Sequence, residues 1–321
     1  MADTPYLLEA RNLCQHFASG RGGKRLTVKA VDDVSFGVRP AEIFGLVGES
    51  GCGKTTTGRT IIRLYDPTSG TVTFDGREIS GGMTRGLRRY LTDNIAMIFQ
   101  DPIESLNPRM TVEEIVGEGL TIRGVKDKAE VRRRVVEMLG KVGLTNEHAT
   151  RYPHEFSGGQ RQRIGIARAI ITHPKMIIAD EPVSALDVSV QAQVINLLND
   201  LKEEMGLTIL FIAHNLSVVK YFSDRIGVMY YGHLVEIARG DDLYAKPLHP
   251  YTRALLSAIP EPNPLTEKTR RRIDYDPERD HKEDYFSGNP VMTEIEPEHF
   301  VYCTPSELEL YRDQVRGKAD A

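Results

Sequence analysis

The residues best suited to chemistry stand in a glycine-rich loop at positions 48–55, which read GESGCGKT. This order matches the pattern GxxxxGK[ST] of a phosphate-binding loop. Glycines let backbone N–H groups turn toward a phosphate chain, and the following helix points its positive end at the same anion. Lys54 supplies a point charge for the β- and γ-phosphates, and the hydroxyl of Thr55 provides a ligand for Mg²⁺. The loop predicts a Mg·ATP site formed by Gly48, Glu49, Ser50, Gly51, Cys52, Gly53, Lys54, Thr55 and Thr56.

Cys52 lies inside this loop, beside Lys54 and close to the start of the next helix. A neighbouring ammonium and a helix N-terminus both favour a thiolate. We therefore expect that alkylation of Cys52 blocks nucleotide binding and that ATP protects it. The alternative interpretation is that Cys52 is a small filler residue.

Two acids end a second apolar stretch, where the sequence reads MIIADE at positions 176–181. A buried strand rarely ends in two acids unless their charges have a partner. A bound Mg·ATP supplies one. Asp180 is then predicted to hold the magnesium through its water shell. Glu181 would face the γ-phosphate and polarise the attacking water.

The run FSGGQRQR at positions 156–163 lies between these two sites. It resembles the LSGGQ signature of ATP-binding cassette (ABC) ATPases, with Phe156 in place of the leucine. A serine and two glycines that open a helix form a second anion-binding N-terminus. The resemblance implies a head-to-tail dimer with two ATPs at its interface. In that dimer the signature residues contact the partner's γ-phosphate; they are Ser157, Gly158, Gly159 and Gln160.

The same resemblance implies roles for four further residues. Gln100, in the run IFQDP, resembles the glutamine that ligates magnesium and signals to the membrane subunits. Asp187, in the run SALD, resembles the acid that communicates across the dimer. His214, in the run FIAHN, resembles the histidine that contacts the γ-phosphate. Phe17 resembles the aromatic residue that stacks on adenine, although an aromatic residue near a first strand could equally belong to the core.

Two segments narrow the resemblance to one branch of the ABC family, the ATPases of oligopeptide and dipeptide importers. They are FQDP with SLNPR at positions 99–109, and HPYT at positions 249–252. Many members of this branch carry a cysteine-rich C-terminal motif, and some hold an iron–sulfur cluster there. Such a cluster needs about four thiolates, and this tail offers only Cys303. We therefore expect ATP and Mg²⁺ but no iron–sulfur cluster.

The elements that must position these residues alternate between strands and helices. Short apolar runs predict strands at 42–47, 70–74, 175–179 and 207–213, and a hairpin over 225–238. Apolar residues at helical spacing predict helices over 131–142 and 190–201, and the chain turns helical from about 101 to 168. A GRGGK turn is expected at positions 20–24. This alternation predicts an α/β fold, with a parallel or mixed sheet flanked by helices. The resemblance to ABC ATPases further implies a P-loop ABC cassette with a mixed core sheet, an antiparallel β subdomain, an inserted helical subdomain and a short C-terminal extension.

The domain boundaries follow from a change of composition after Pro247. We expect a nucleotide-binding domain over residues 1–246, with its helical subdomain at about 101–168. The C-terminal extension of the oligopeptide-transporter type covers residues 247–321 and reads as a linker or loose extension with a small ordered tail near 291–310.

The overall composition excludes several classes of protein. The 321 residues carry 41 basic and 45 acidic side chains, which gives a net charge of −4 and argues against a dedicated nucleic-acid binder. Three scattered cysteines form no disulfide framework and fit a reducing compartment. No signal peptide is apparent, and no apolar stretch approaches the roughly 18 residues of a membrane span.

The resemblance implies partners that the chain itself lacks. They are a second ABC ATPase subunit, in a heterodimer or a homodimer, two transmembrane permeases, and indirectly an extracytoplasmic solute-binding protein. The expected location is the cytoplasmic face of the cell membrane, where the chain is peripheral. No nucleic-acid partner is expected, because the arginines after the signature fit a helix that pairs with acids or nucleotide.

Three alternatives to a peptide importer remain open. The chain could drive import of another solute, such as an oligosaccharide, a metal or an opine. It could be a non-transport ABC ATPase such as a subunit of the carbon–phosphorus lyase complex. It could also be a regulatory module that only binds ATP, although a degenerate site would be expected to lose one of these residues: Lys54, Gln100, Asp180, Glu181 and His214.

Overall fold

The computed structural model describes residues 5–19, 26–101, 105–259, 272–281 and 289–316. The turn expected at positions 20–24 and the proline of the IFQDP run, Pro102, lie outside these residues, as does most of the polar run after residue 260. The chain divides into two compact units. The first unit comprises residues 1–8, 38–42 and 75–212, and the second comprises residues 9–37, 43–74 and 213–321.

Twelve strands are present among the described residues. They are β1 (Leu8–Ser19), β2 (Leu26–Val38), β3 (Ile43–Val47), β4 (Ser69–Phe74), β5 (Arg77–Glu78), β6 (Ile95–Ile98), β7 (Met176–Asp180), β8 (Thr208–Ala213), β9 (Arg225–Tyr230), β10 (His233–Arg239), β11 (Val291–Glu296) and β12 (His299–Cys303).

Eleven α-helices accompany the strands within the described ranges, besides short 3₁₀ turns at Asn146–Thr150 and Pro153–Glu155. They are α1 (Lys54–Ile61), α2 (Arg85–Asn94), α3 (Val112–Ile122), α4 (Lys128–Lys141), α5 (Gly158–Ile170), α6 (Val188–Met205), α7 (Leu216–Val219), α8 (Gly240–Ala245), α9 (Pro250–Ser257), α10 (Pro277–Asp280) and α11 (Leu308–Val315).

The first unit contains parallel strands in the order β6-β7-β8. All five residues of β7 are buried, as its continuous apolar sequence predicts for a strand covered on both faces. Helix α3 packs against α4 and α5, so the predicted helical character of this part of the chain is confirmed. A capping box between Thr111 and Glu114 begins α3, since each side chain bonds the other residue's backbone N–H.

The second unit contains a mixed sheet in the order β11-β12-β10-β9-β3. Strand β3 runs parallel to β9, whereas the β9/β10 and β10/β12 pairs are antiparallel. A separate antiparallel sheet includes β2-β1-β4 in that order. The expected mixed sheet, antiparallel subdomain and helices are therefore confirmed, and so is the hairpin over 225–238.

The described part of the C-terminal extension contains defined strands and helices. The ordered tail expected near 291–310 is present as the β11/β12 hairpin and α11, and β12 pairs with β10, so that the hairpin extends the sheet. A small apolar cluster joins these elements, with Leu248, Val301, Cys303 and Tyr311 at its centre. Composition did not indicate this arrangement because it depends on pairing with a distant strand.

Among the described residues no helix combines the length and the apolar character that crossing a membrane requires.

Candidate functional site

The glycine-rich loop lies in the second unit, between β3 and α1. Two of its glycines have conformations that side chains rarely adopt, with φ of 152° at Gly48 and 110° at Gly53. A Cβ at Gly48 would lie 2.1 Å from the Met229 carbonyl oxygen, and one at Gly53 would lie 2.1 Å from that of Ala30. Only glycine fits at either position, which explains the spacing of the motif.

Lys54 is the first residue of α1 and is 4% exposed. Its Nζ atom donates to the carbonyl oxygens of Gly48 and Glu49, both at 2.8 Å. The ammonium is thus held above the loop by two neutral acceptors, which leaves its positive charge for an anion. A Cβ built at Gly51 meets no atom of the described residues within 4 Å, and Gly53 caps α1 without a side chain. An open loop beside a helix N-terminus and a buried ammonium fits the phosphates of a nucleotide.

Cys52 does not have the activated thiol that the sequence predicts. The residue is 6% exposed, and burial raises the pKa of its thiol despite Lys54 Nζ at 3.7 Å from the sulfur. The expectation of a stabilised thiolate is therefore wrong, because desolvation of the charged form outweighs the nearby ammonium. The filler interpretation of Cys52 fits its buried position.

The first unit brings the predicted carboxylates to one edge of its parallel strands. Ile98 on β6 pairs with Ala179 on β7, and Asp180 pairs with Ile212 on β8. Parallel strands end at the same edge of a sheet, which is where α/β proteins bind ligands. Asp180 is the last residue of β7 and is fully buried, and Glu181 follows it directly.

Glu181 and Gln100 are in contact. The Nε2 atom of Gln100 donates to Oε2 of Glu181 at 3.2 Å. Glu181 is half-buried and has a φ of 45°, and its backbone N–H donates to the carbonyl oxygen of Ile212 at 2.9 Å. Non-glycine residues with positive φ are uncommon, and such strained residues cluster at active sites. The arrangement orients one carboxylate oxygen at the end of β7.

The signature residues begin α5 in the first unit. The Ser157 Oγ accepts the backbone N–H of Gln160 at 3.3 Å, and the Gln160 side chain accepts the backbone N–H of Ser157 at 3.0 Å. Ser157 and Gly158 are exposed, whereas Phe156 is 4% exposed. The phenylalanine that replaces the usual leucine is therefore a core residue. Asp187 is an exposed residue at the N-terminus of α6.

His214 and Phe17 belong to the second unit. His214 is exposed and follows β8 directly. Phe17 is half-buried on β1 and meets the Tyr65 ring edge-to-face, with ring centroids 5.3 Å apart. Stacking of Phe17 on adenine stays a prediction. In the first unit, the side chains of two predicted site residues from different elements, Gln100 and Glu181, are in contact.

Tyr251 is a residue near the loop that the sequence did not single out. Its hydroxyl oxygen accepts the backbone N–H of Glu49 at 3.1 Å, and both residues lie in the second unit. The residue belongs to the HPYT segment, which the sequence linked to a branch of the family without a physical role. The HPYT segment was therefore the sequence signal that could have pointed to Tyr251.

Comparison with known proteins accords with this geometry. A model of the ABC transporter family matches residues 31–184, and a model described as "Oligopeptide/dipeptide transporter, C-terminal region" matches residues 235–286. The chain is 57% identical to the oligopeptide transport ATP-binding protein OppF of Bacillus subtilis (strain 168), over 96% of this chain and 99% of that one. This chain belongs to the oligopeptide/dipeptide branch of the ABC transporter ATP-binding proteins.

Further members of this ABC branch and known cassette structures agree. The dipeptide transport ATP-binding protein DppF of Lactococcus lactis subsp. cremoris (strain MG1363) is 51% identical, over 97% of this chain and 98% of that one. The dimeric cassette MJ0796, in a post-hydrolysis state bound to ADP and Pi, is 30% identical with a TM-score of 0.65, covering 72% of this chain and 98% of that one. CbiO1 of Clostridium perfringens is 26% identical with a TM-score of 0.66, covering 75% and 92%. The chain is an ABC cassette that binds nucleotide.

Proposed function

We propose that this chain is the ATP-hydrolysing motor subunit of an importer for oligopeptides or dipeptides. The chain matches the OppF and DppF proteins over nearly their whole length, and those relatives are named as ATP-binding proteins of oligopeptide and dipeptide transport. The observation that carries hydrolysis, rather than nucleotide binding alone, is the contact between Gln100 and Glu181. An oriented carboxylate of this kind can act as a general base, which a module that only binds ATP does not need.

The residues fit Mg·ATP by their donor chemistry. The hydroxyl of Thr55, the amide oxygen of Gln100 and the carboxylate of Asp180 are oxygen ligands of the kind that Mg²⁺ prefers. When bound, the ion neutralises charge on the β- and γ-phosphates. Lys54 and the N-terminus of α1 would hold the phosphates, and Phe17 would stack on the base. The side chain of His214 would contact the γ-phosphate.

Glu181 is the general base of the proposed reaction. Its carboxylate accepts a hydrogen bond from the attacking water and then the proton that the water loses. Gln100 positions that carboxylate by donating to Oε2. A base held at a fixed angle loses less conformational freedom in the transition state than a free one.

The proposal includes an assembly. Ser157, Gly158, Gly159, Gln160 and Asp187 would contact a second ABC ATPase subunit in a head-to-tail dimer, and MJ0796 offers the precedent of a dimeric cassette. The dimer would dock on two permeases at the cytoplasmic face of the cell membrane and close when ATP binds. Residues 1–246 would form the cassette and residues 247–321 the branch-specific extension.

Substitution of the proposed base tests the reaction. Glu181→Gln keeps the shape of the side chain but removes its basicity, so ATP turnover should fall by roughly a hundredfold or more while ATP still binds. A dimer with trapped ATP should then accumulate. Glu203→Gln, at an exposed position of α6, is the matched control and should leave turnover unchanged. An unchanged rate in Glu181→Gln would rule out Glu181 as the base.

The transported solute is tested on the intact complex. The chain, copurified with its permeases and reconstituted with its binding protein, should take up short peptides in an ATP-dependent manner. Uptake of an oligosaccharide, a metal or an opine instead would replace the peptide assignment. Copurification with enzymes of carbon–phosphorus bond cleavage, and without permeases, would overturn the transport function.

A further inference from the structure

A group of metal-ligating side chains lies in the second unit and has no part in the proposed hydrolysis. Cys14 and His16 stand two residues apart on β1, and Asp32 lies on β2. Residues at that spacing on a strand point to the same face. One ligand atom from each of the three lies within 4.8 Å of the others. All three side chains are half-buried, which shields them from bulk water without closing them off.

The distances suit a small tetrahedral ion. The Nε2 atom of His16 lies 3.1 Å from Oδ1 of Asp32, and the Cys14 sulfur lies 3.9 Å from the same oxygen. Metal–ligand bonds to zinc of about 2.0 to 2.3 Å place tetrahedral ligands about 3.3 to 3.8 Å apart. The two separations, 3.1 and 3.9 Å, thus lie close to those between the ligands of a tetrahedral zinc ion.

The backbone at this group is held by contacts that are independent of any ion. Thr68 binds both ligands of β1, because its N–H donates to the Cys14 carbonyl oxygen at 2.8 Å and its Oγ1 accepts the His16 N–H at 2.9 Å. The N–H of Asp32 donates to the Gly232 carbonyl oxygen at 2.9 Å, which fixes β2 beside the start of β10. A site whose backbone is fixed in advance loses little entropy when it binds.

His233, the first residue of β10, provides a fourth donor. Its Nε2 atom lies 3.8 Å from Oδ2 of Asp32, and its ring stacks on Tyr302 with centroids 5.5 Å apart. The group thus contains one sulfur, two nitrogen and one carboxylate ligand.

We propose that Cys14, His16, Asp32 and His233 form a binding site for Zn²⁺. Thiolate and imidazole ligands favour zinc over magnesium or calcium, which take oxygen ligands. On binding, the Cys14 thiol loses its proton to solvent, so that the thiolate and the Asp32 carboxylate balance the charge of the ion. This site stands apart from the proposed function and needs no nucleotide.

Lys29 is the competing cation. Its Nζ lies 2.9 Å from Oδ2 of Asp32, and its side chain is 61% exposed. Because the lysine side of this ion pair is exposed, the ammonium can turn into solvent when a divalent ion arrives. If no metal binds, the group is a hydrogen-bonded cluster centred on Asp32. The experiment below separates these two states.

Cobalt and zinc titrations test the site on the full-length, metal-free chain without nucleotide. Co²⁺ should give the intense visible bands of a tetrahedral site and a near-ultraviolet thiolate charge-transfer band, and Zn²⁺ should remove both at one equivalent. Loss of an outer-shell partner already weakens metal affinity by about 10- to 100-fold, so loss of a ligand in Cys14→Ser should weaken it at least as much. Cys303→Ser, which changes a buried cysteine outside the group, should retain the bands.

A second measurement guards against misfolded variants. Zn²⁺ should raise the thermal midpoint of the wild-type chain, because an ion that binds only the folded state stabilises it by mass action. His16→Gln should keep the fold and lose most of that shift. The proposal is overturned if the wild-type chain shows no thiolate band with Co²⁺ or if the band persists in Cys14→Ser. It is also overturned if Zn²⁺ raises the thermal midpoints of the wild-type chain and of His16→Gln by the same amount.

Discussion

At the scale of single residues, the carboxylate of Glu181, which we propose as the general base, is carried by a strained backbone. Glu181 has a φ of 45°, and such a conformation costs a non-glycine residue on the order of 1 to 3 kcal/mol. Two contacts of its main chain maintain it: the N–H donates to Ile212, and the carbonyl oxygen accepts the Ser184 hydroxyl at 3.0 Å. The side chain therefore leaves β7 in a direction that a relaxed strand would not allow.

Gln100 should matter through the orientation of Glu181. Gln100→Leu removes the amide that donates to Oε2, and a hydrogen bond to a charged group contributes about 1.5 to 3 kcal/mol. The side chains of Gln100 and Glu181 are partly solvated, which weakens their hydrogen bond. We therefore expect the turnover number for ATP to fall by about tenfold, the lower end of what this energy range allows. Gln193→Leu is the control, because Gln193 is exposed and also contacts a charged side chain, that of Arg163. Equal rates in wild type and Gln100→Leu would contradict a positioning role.

Cys52 should be a slow thiol in the folded chain. Burial raises its pKa, and the thiolate is the nucleophile, so its alkylation rate should rise only at more alkaline pH than that of a free cysteine. At neutral pH, folded Cys52 should react with iodoacetamide at least about tenfold more slowly than in the urea-unfolded chain. Peptide mass spectrometry measures both rates. Equal labelling rates in the folded and the urea-unfolded chain would contradict this prediction and support an activated thiol.

The effect of the adduct on ATP is a separate question. Once Cys52 is alkylated, nucleotide binding should be lost, and prior binding of ATP should protect the residue. If Cys52→Ser loses activity to the reagent as fast as wild type, then the damage lies elsewhere in the chain.

At the scale of elements, helix α9 supports the phosphate loop from the C-terminal side of the chain. The Tyr251 hydroxyl accepts the N–H of Glu49, and the Tyr251 ring packs against those of Tyr230 and Tyr275 at centroid distances of 4.4 and 5.4 Å. Glu236, fully buried on β10, accepts the backbone N–H groups of Leu248 and His249 at 2.8 and 3.0 Å. The start of α9 is thereby fixed to the sheet, and α9 fixes one end of the loop.

Tyr251→Phe should weaken nucleotide binding while the fold is kept. The substitution leaves the aromatic packing intact but removes the acceptor of the Glu49 N–H, and one such hydrogen bond contributes about 0.5 to 1.5 kcal/mol. The Kd for ATP should rise by about two- to tenfold, measured by calorimetry. Tyr244→Phe is matched to it, since the Tyr244 hydroxyl donates to the carbonyl of Leu216 and not to the loop. Equal affinities in both variants would mean that Tyr251 only fills space.

The sequence predicts what depends on neighbours along the chain. The phosphate loop, the acids after β7 and the helix cap at Ser157 all follow from residues within a few positions of one another. Other features depend on residues that are far apart in the sequence. The Tyr251 contact with Glu49 spans 202 positions, and the pairing of β12 with β10 joins two strands whose sequences do not indicate that they pair. The raised pKa of the Cys52 thiol was not predicted, because it depends on burial in the folded chain rather than on the neighbouring Lys54.

At the scale of the whole molecule, each unit carries part of the machinery. The phosphate loop and His214 belong to the second unit, and the acids after β7 and the signature belong to the first. The exposure of Ser157 and Gly158 is the feature that fits a contact with a second subunit. An exposed signature is accessible to the nucleotide of a second subunit, as the proposed head-to-tail dimer requires.

Gly158→Asp separates those two cases. A Cβ at Gly158 would meet only the Leu186 side chain, at an ordinary 3.5 Å, so the chain itself should fold and bind ATP as before. At a dimer interface the added carboxylate would face the partner's γ-phosphate, and turnover by the assembled transporter should fall by about a hundredfold. Gly140→Asp, at an exposed position of α4 with open space around its Cβ, should change neither quantity. Weaker ATP binding by the isolated Gly158→Asp chain would place the signature at its own nucleotide instead, because a purely intermolecular contact does not act on a single subunit.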